Sequence, residues 1–326
     1  QIILRIRTGA NPKYNEQKII QRLNYETRSW KDNLYSSMAK LYGEETAIEL
    51  IDRWSGRFEN AYQDMYKPSQ IIDDIKIIEN IIGSGKVGMN LFRETSASDS
   101  TVRFKIYNTA GSIALSDVLP IFEHMGFKVL DERGPHQIDL QNLQKNNVTI
   151  HDFGLAAKDD IPLELHKISK NFRALFLNVW EKNVESDGFN ALVIKANLDW
   201  REITIIRAYS KYLRQIGLMF SQSYMEQTLV INAKITRFII SLFFEFFSPV
   251  NNEPNKKRIQ ALKHQIQKMM DNVSSADEDR ILRKFLNLVE STTRTNFFQR
   301  AEDGRHKPYI SFKFNCQSID DLPQPR

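Results

Sequence analysis

The chain has 326 residues, 41% of them hydrophobic and 26% charged, which is the composition of a globular protein with a substantial core. Its length predicts two or three domains. The 45 basic and 40 acidic side chains leave a net charge of +5, and so small an excess gives little support for a nucleic-acid partner. The single cysteine, Cys316, excludes an intrachain disulfide and a cysteine-rich zinc site and indicates a reducing compartment, by default the cytoplasm.

Neither a signal peptide nor a membrane span is expected. The opening residues alternate apolar side chains with Arg5 and Arg7, without the continuous apolar core of a signal peptide. The most apolar stretch, residues 238–247, is interrupted by Ser241 and Glu245 and is far shorter than the ~20 residues of a membrane span. We interpret it as a buried helix.

The first quarter of the chain predicts one strand followed by helices. The alternation in residues 1–8 is typical of a strand, and we expect it to complete a sheet begun before this segment. Residues 16–66 have helical spacing. Ser69, after Pro68, is expected to cap a further helix. The isoleucines of that helix recur on one face until Gly83 ends it: Ile71, Ile75, Ile78 and Ile82.

In the middle of the chain, the spacing of the apolar residues changes from that of a helix to that of a strand. Residues 89–93 and 102–107 read as strands, and Ser116 with Asp117 is expected to cap a short helix that ends at Gly126. Strands at 127–130 and 148–153 and a helix at 168–180 follow. This order predicts an α+β fold, in which helices cover one face of an antiparallel sheet.

The remainder reads as almost entirely helical. Asp199 and Glu202 have the spacing of a capping box, and a buried stripe begins at Ile206. Helices are expected at residues 256–270 and 277–289, and a last strand at 309–314.

Three features of the sequence could be taken for ligand-binding sites, and each has a simpler structural explanation. Gly83-Ser84-Gly85-Lys86-Val87-Gly88 has GxGxxG spacing, but it follows a helix and precedes a strand, the reverse of a dinucleotide-binding loop. The histidines have no short-range ligand spacing, so we expect no metal site. Arg207, Lys211 and Arg214 would lie on one helical face, a basic ridge for phosphates or an ordinary solvated surface.

Several segments together resemble the large NAD-specific glutamate dehydrogenases of bacteria, in the order of that family and over essentially the whole chain. They are Arg28-Ser29-Trp30-Lys31-Asp32-Asn33-Leu34, Gly43-Glu44-Glu45, Leu115-Ser116-Asp117-Val118-Leu119-Pro120, Ile150-His151-Asp152-Phe153, Asp187-Gly188-Phe189-Asn190, Trp200-Arg201-Glu202, Arg207-Ala208-Tyr209, Tyr212-Leu213-Arg214-Gln215 and Arg294-Thr295-Asn296-Phe297-Phe298. Ser186 and Ala191 depart from it, since the family pattern has Asn and Arg there.

The resemblance implies a parent enzyme that oxidises glutamate to 2-oxoglutarate and ammonia with NAD as cofactor. It implies the last strand of an ACT-like domain at 1–10, a helical linker at 11–85, an ACT-like domain at 86–185, a helical domain at 186–305 and the start of the catalytic region at 306–326. The family's lysine-bearing catalytic motifs have no counterpart here. We therefore expect no catalytic, NAD-binding or metal-binding residue in this segment, and a regulatory and oligomerisation role.

ACT domains in general bind amino acids near the turn between their first strand and first helix. Here that turn runs over residues 108–117 and offers backbone amides and a helix N-terminus, which favour a carboxylate. The candidate effector-binding residues are Thr109, Ser112, Ser116 and Asp117. The alternative is that Ser116 and Asp117 act only as a cap.

The expected partners are the catalytic region of the same chain, other subunits of a homo-oligomer and an amino-acid effector, without nucleic acid or membrane. The alternative function is a stand-alone helical module that binds nucleic acid or protein through the ridge from Arg207 to Arg214.

Overall fold

A computed structural model describes residues 15–20, 29–140, 147–250, 255–320 and 322. The strand expected at residues 1–8 lies outside the described residues. The chain divides into two compact units, one formed by residues 1–88, 107–112 and 135–150 and the other by residues 89–106, 113–134 and 151–326.

Four helices build most of the first unit: α1 (Trp30–Tyr42), α2 (Glu44–Trp54), α3 (Asn60–Met65) and α4 (Pro68–Ile81). The hydroxyl of Ser29 caps α1 by accepting a hydrogen bond from the amide of Asp32. Helix α4 starts at Pro68 with Lys67 as its N-cap, so the expected cap at Ser69 is wrong. The fixed φ of proline suits the first helical position, which moves Ser69 into the first turn.

The apolar face of α4 lies in the core of this unit, as its isoleucine spacing predicted. Ile71 and Ile78 are fully buried, and Trp54 and Tyr62 belong to the same cluster. The core also contains a carboxylate, because Asp74 on α4 is 0% exposed.

Two phenol hydroxyls solvate the buried Asp74. Tyr62 and Tyr107 each donate a hydrogen bond of 2.5 Å to its carboxylate. Burial, followed by the charge of Asp74, raises the pKa of Tyr62 well above its ordinary value, so the phenol remains a donor. These bonds replace the water that the carboxylate loses on folding.

The sheet has four strands: β1 (Gly88–Phe92), β2 (Thr101–Asn108), β3 (Phe127–Ile138) and β4 (Val148–Ala157). Their order is β1-β2-β4-β3 and the sheet is antiparallel. Helix α5 (Leu115–His124) connects β2 to β3, which lie on either side of β4. The predicted α+β class is confirmed, and β3 and β4 are longer than expected.

Aromatic side chains hold the helices against one face of this sheet. The ring of Phe104 on β2 lies 5.7 Å from Phe122 of α5. It also lies 5.1 Å from Phe172 and 5.0 Å from Phe176, both on α6 (Leu165–Trp180). Edge-to-face contacts of this kind stabilise a core beyond the area they bury.

Helix α5 starts two residues earlier than a cap at Ser116 predicts. Its N-cap is Ala114, which makes no side-chain capping bond. Ser116 and Asp117 therefore lie inside the first turn, and the prediction that they cap the helix is wrong. Asp117 still contributes a negative charge there, which the helix dipole favours.

The rest of the second unit consists of α7 (Leu192–Lys195), α8 (Trp200–Gln215), α9 (Gln222–Ile231), α10 (Ala233–Phe247), α11 (Lys256–Met270) and α12 (Ala276–Ser291), followed by β5 (Thr292–Thr295) and β6 (Phe312–Phe314). The capping box is confirmed: Asp199 accepts from the amide of Glu202, and Glu202 accepts from the amide of Asp199, both at 2.8 Å. Strands β5 and β6 pair antiparallel. The expected last strand is thus shorter than 309–314, and β5 was not anticipated.

The Phe-rich helix α10 supplies the centre of this helical region. Phe243 is fully buried, and its ring lies 5.7 Å from Phe297 and 6.3 Å from Phe312. No helix in the described ranges is long and apolar enough to span a bilayer.

The buried Asp74 yields a test of the first unit. Asp74→Ala removes the shared acceptor of two buried phenols, and we expect it to lower the free energy of unfolding by about 3 kcal/mol in urea denaturation. Asp73→Ala is the matched control, because the side chain of Asp73 is 59% exposed and its ion pair with Lys76 lies on the surface. Equal losses for the two variants would contradict the role assigned to Asp74.

Candidate functional site

The predicted effector residues belong to different units. Thr109 and Ser112 lie in the first, where Thr109 is half-buried and Ser112 is exposed. The neighbouring Asn108 organises this part of the turn: its side chain donates to the carbonyl of Gly111 at 2.8 Å and accepts from the amide of Ala110 at 3.2 Å. The turn conformation is therefore maintained by protein groups.

Ser116 and Asp117 lie exposed in the second unit. The amide of Ile113, just before them, donates to Nε2 of the buried His151 at 3.0 Å. His151 is oriented by Glu132, which lies 2.6 Å from its Nδ1. The amide of Asp117 donates to the carbonyl of Ala114. Because protein acceptors occupy these amides, an effector carboxylate would depend mainly on the hydroxyls.

The GxGxxG segment does not fit a nicotinamide dinucleotide. It lies between α4 and β1, in the inverted order that the sequence indicated. A Cβ atom on Gly88 would lie 2.5 Å from Cγ2 of Ile77. The last glycine therefore allows a helix side chain to pack close to the backbone.

A cleft of about 1230 Å³ lies in the second unit. Residues from three separate segments line it: 178–186 at and after the end of α6, the first half of α8, and the loop 300–310 between β5 and β6. These segments bring Arg201, Arg207, Arg300 and His306 to one place.

The guanidinium of Arg207 is fixed by the Asp187-Gly188-Phe189-Asn190 segment. Arg207 is 3% exposed; its Nε and Nη2 donate to Asp187 at 2.6 and 2.8 Å, and Nη2 also donates to Asn190 at 2.7 Å. Asp187 in addition caps the 3-10 turn at Gly188–Ala191. This motif, singled out in the sequence, thus has a structural role, which is to neutralise and orient Arg207.

Arg201 has no such partner. It is 8% exposed, and its Nη2 donates to the carbonyl of Phe297 at 2.7 Å. The guanidinium lies 4.6 Å from the ring centre of Phe297 and 5.6 Å from that of Trp200. No carboxylate of the described residues lies within ion-pair distance of it, and its Nε is buried without a hydrogen-bond partner. Burial lowers the pKa of this guanidinium from its ordinary value.

Two further side chains of the 300–310 loop, Arg300 and His306, line the cleft. Arg300 donates to the carbonyl of Gly304, and its backbone forms a β-bridge with His306. Nδ1 of His306 is buried without a hydrogen-bond partner in the described part of the chain. Burial, followed by the charges of Arg201 and Arg300, lowers the pKa of His306. The imidazole is therefore neutral at pH 7.

The proposed basic ridge on α8 does not form. Arg207 is buried and paired with Asp187, Lys211 forms an ion pair with Glu185, and Arg214 donates to Gln222. Acidic and polar groups of neighbouring segments occupy these side chains, so the ridge presents no row of open cations to a phosphate backbone.

Of the two residues that depart from the family pattern, Ser186 lies in the cleft and Ala191 is not among the residues that line it. Ser186 lines it, and its hydroxyl lies 2.9 Å from Nδ1 of His124. Ala191 is buried at the end of the 3-10 turn. In the described ranges, no group of three or more His, Cys, Asp and Glu side chains is arranged to hold a metal ion.

The cleft was not anticipated from the sequence. In the sequence, Arg201 stands out only within the Trp200-Arg201-Glu202 segment of the family resemblance, yet its hydrogen-bond acceptor Phe297 lies 96 residues further along. No local spacing reports such a contact. The sequence offers one hint of a buried guanidinium: Arg201 follows Trp200 at the start of a helix whose apolar face is buried.

Comparison with protein families gives four matches along the chain. They are "Glutamate dehydrogenase, helical motif 2" at 37–81, "Glutamate dehydrogenase, ACT3 domain" at 86–168, "Glutamate dehydrogenase, helical motif 3" at 184–249 and "Bacterial NAD-glutamate dehydrogenase, catalytic domain" at 265–326. The ACT3 match begins just before β1 and ends within α6, so it includes the whole sheet.

Three relatives of this chain are named NAD-specific glutamate dehydrogenase. An NAD-specific glutamate dehydrogenase of Halomonas elongata is 32% identical to this chain, and one of Pseudomonas aeruginosa is 31% identical; each alignment covers 100% of this chain. A third, from Mycobacterium tuberculosis, is 30% identical over 96% of this chain. The chain spans 20% of the length of the first two relatives and 19% of the third. It is therefore a segment of the large bacterial NAD-specific glutamate dehydrogenases, comprising helical motif 2, the ACT3 domain, helical motif 3 and part of the catalytic domain.

Proposed function

We propose that this segment regulates and assembles an NAD-dependent glutamate dehydrogenase and is not catalytic by itself. The parent reaction is the oxidative deamination of L-glutamate to 2-oxoglutarate and ammonia, with NAD as the acceptor of the hydride. The observation that carries the proposal is the match of the four-stranded sheet to an ACT domain, flanked on both sides by matches to helical motifs of the same enzyme.

The match to the catalytic domain covers α12, β5 and β6. In this chain these elements pack on α8 and α10: Phe312 lies 4.6 Å from Tyr209, and the hydroxyl of Tyr209 lies 2.9 Å from that of Thr292. The aromatic side chains of these elements belong to the core, and the backbones of β5 and β6 pair with each other. We assign them the role of a junction through which the helical region contacts the catalytic part of the same chain.

NAD is the cofactor of the parent enzyme in this proposal, and the reducing cytoplasm is its location. The lone Cys316 is exposed and free, consistent with that compartment. The partners are the catalytic region, further copies of the chain and an amino-acid effector at the turn that carries Thr109, Ser112, Ser116 and Asp117.

The first test is enzymatic. The purified 326-residue chain, supplied with glutamate and NAD, should form no NADH above the rate without protein, as followed by absorbance. A full-length enzyme from one of the relatives serves as the active control. Turnover by the chain comparable to that control would refute the assignment.

The second test concerns assembly. Phe246 and Phe247 on α10 remain partly exposed beside the buried Phe243, which leaves apolar area for contact with another copy. Light scattering over a hundredfold range of concentration should show a mass that rises above 38.1 kDa. A mass that stays at that of one chain throughout would contradict self-association.

The third test concerns the effector. A ligand that binds only the folded protein raises its melting temperature, so the twenty amino acids are screened by thermal shift. We expect at least one to stabilise the chain and the double variant Thr109→Ala/Ser112→Ala to lose that shift. Arg201→Gln, which changes the cleft and leaves the turn intact, should retain it. If no amino acid shifts the transition, the turn is not an effector site.

A further inference from the structure

The cleft of the second unit contains a buried guanidinium, that of Arg201, with which no carboxylate of the described residues forms an ion pair. A buried ion loses its hydration, and in native proteins this loss is normally offset by a partner of opposite charge. Arg207 follows this rule through Asp187. Arg201, on the same helix and 8% exposed, makes no ion pair with any described residue.

The acidic residues around the cleft do not supply the missing charge. Glu185 forms an ion pair with Lys211, and Asp303 forms one with Arg305 at 2.6 Å. The carboxylate of Asp199 accepts the amides of Arg201 and Glu202 as the helix cap. None of these carboxylates forms an ion pair with Arg201; the charge of Asp199 raises the pKa of Arg201, but burial lowers that pKa by more.

Unused hydrogen-bond groups coincide with this charge. Nε of Arg201, Nη1 of Arg207 and Nδ1 of His306 are buried and have no hydrogen-bond partner in the described part of the chain. All three residues line the same cleft, although they come from α8 and from the 300–310 loop. A buried polar atom without a hydrogen-bond partner costs free energy, so three such atoms in one cleft offer a ligand contacts that the described protein groups do not make.

We propose that this cleft binds a small anionic ligand through its carboxylate or phosphate group, with Arg201 as the principal contact. A guanidinium presents parallel N–H donors that match the oxygens of either group. Arg207, which Asp187 orients, contributes its Nη1 as a donor, and Arg300 at the rim adds positive charge. The cleft volume of about 1230 Å³ exceeds that of the anionic group alone, and Trp200, Val184 and Ile310 provide apolar wall for the remainder of the ligand.

Burial of the donors favours a small molecule over a nucleic acid. The phosphates of a duplex are reached by extended side chains on an open surface. Arg201 and Arg207 are both more than nine-tenths buried inside one unit. This inference is independent of the proposed enzyme, because it depends only on the charges and geometry of this chain.

The experiment is calorimetric titration of the 326-residue chain with inorganic phosphate and, separately, with succinate, at an ionic strength held constant with sodium chloride. At least one anion should bind saturably with about one site per chain. Arg201→Gln should weaken that binding at least about tenfold, because charge-assisted hydrogen bonds are lost. Arg214→Gln is the matched control, since Arg214 is exposed on the same helix and lies outside the cleft, and it should bind within about twofold of the wild type.

Thermal unfolding without ligand separates binding from folding. Arg201→Gln removes an unpaired buried charge, so its melting temperature should be unchanged or higher than that of the wild type. Arg300→Gln, at an exposed rim position, is the second variant, and it should fold normally and bind more weakly. If only phosphate binds, the ligand of the cleft carries a phosphate group. If only succinate binds, the ligand carries a carboxylate. Failure of both anions to bind above the effect of chloride, or unchanged binding in Arg201→Gln and Arg300→Gln, would overturn the proposal.

Discussion

The ion pair between Arg207 and Asp187 is the interaction on which the helical part of the second unit depends. It joins helix α8 to the segment before it, and both partners are nearly inaccessible to water. The same aspartate caps the 3-10 turn, and Asn190 completes the shell around the guanidinium. Since removal of one partner would leave a bare buried charge, the pair fixes how α8 packs on that segment and what lines the cleft beside it.

The sequence was sufficient for the order and type of most elements, because apolar spacing reports which face of a helix or strand is buried. The isoleucines of α4, the capping box at Asp199 and the α+β region were obtained in this way. Helix starts were less certain. Pro68 and Leu115 occupy first helical positions, so Ser69 and Ser116, plausible caps by residue type, fall inside the first turn.

The features that the sequence missed depend on contacts between distant segments. Strand β5 is only four residues long and is defined by its pairing with β6. The burial of Arg201 depends on Phe297, and the ridge around Arg207 is neutralised by residues twenty positions away. Local periodicity contains no information on such pairs. The family resemblance identified the enzyme family to which the segment belongs, but it assigned no role to Arg201 and did not indicate the cleft.

Two arginines of α8 thus line the cleft of the second unit: Arg207 forms an ion pair with Asp187, and Arg201 forms none with a described residue. A double-mutant cycle between Asp187 and Arg207 tests this account most directly. Asp187→Ala and Arg207→Met are measured singly and together by urea denaturation. We expect each single variant to lose about 3–5 kcal/mol of stability and the double variant to lose much less than their sum, because neither charge is then stranded. Additive losses would show that the two residues act independently, and would contradict the account.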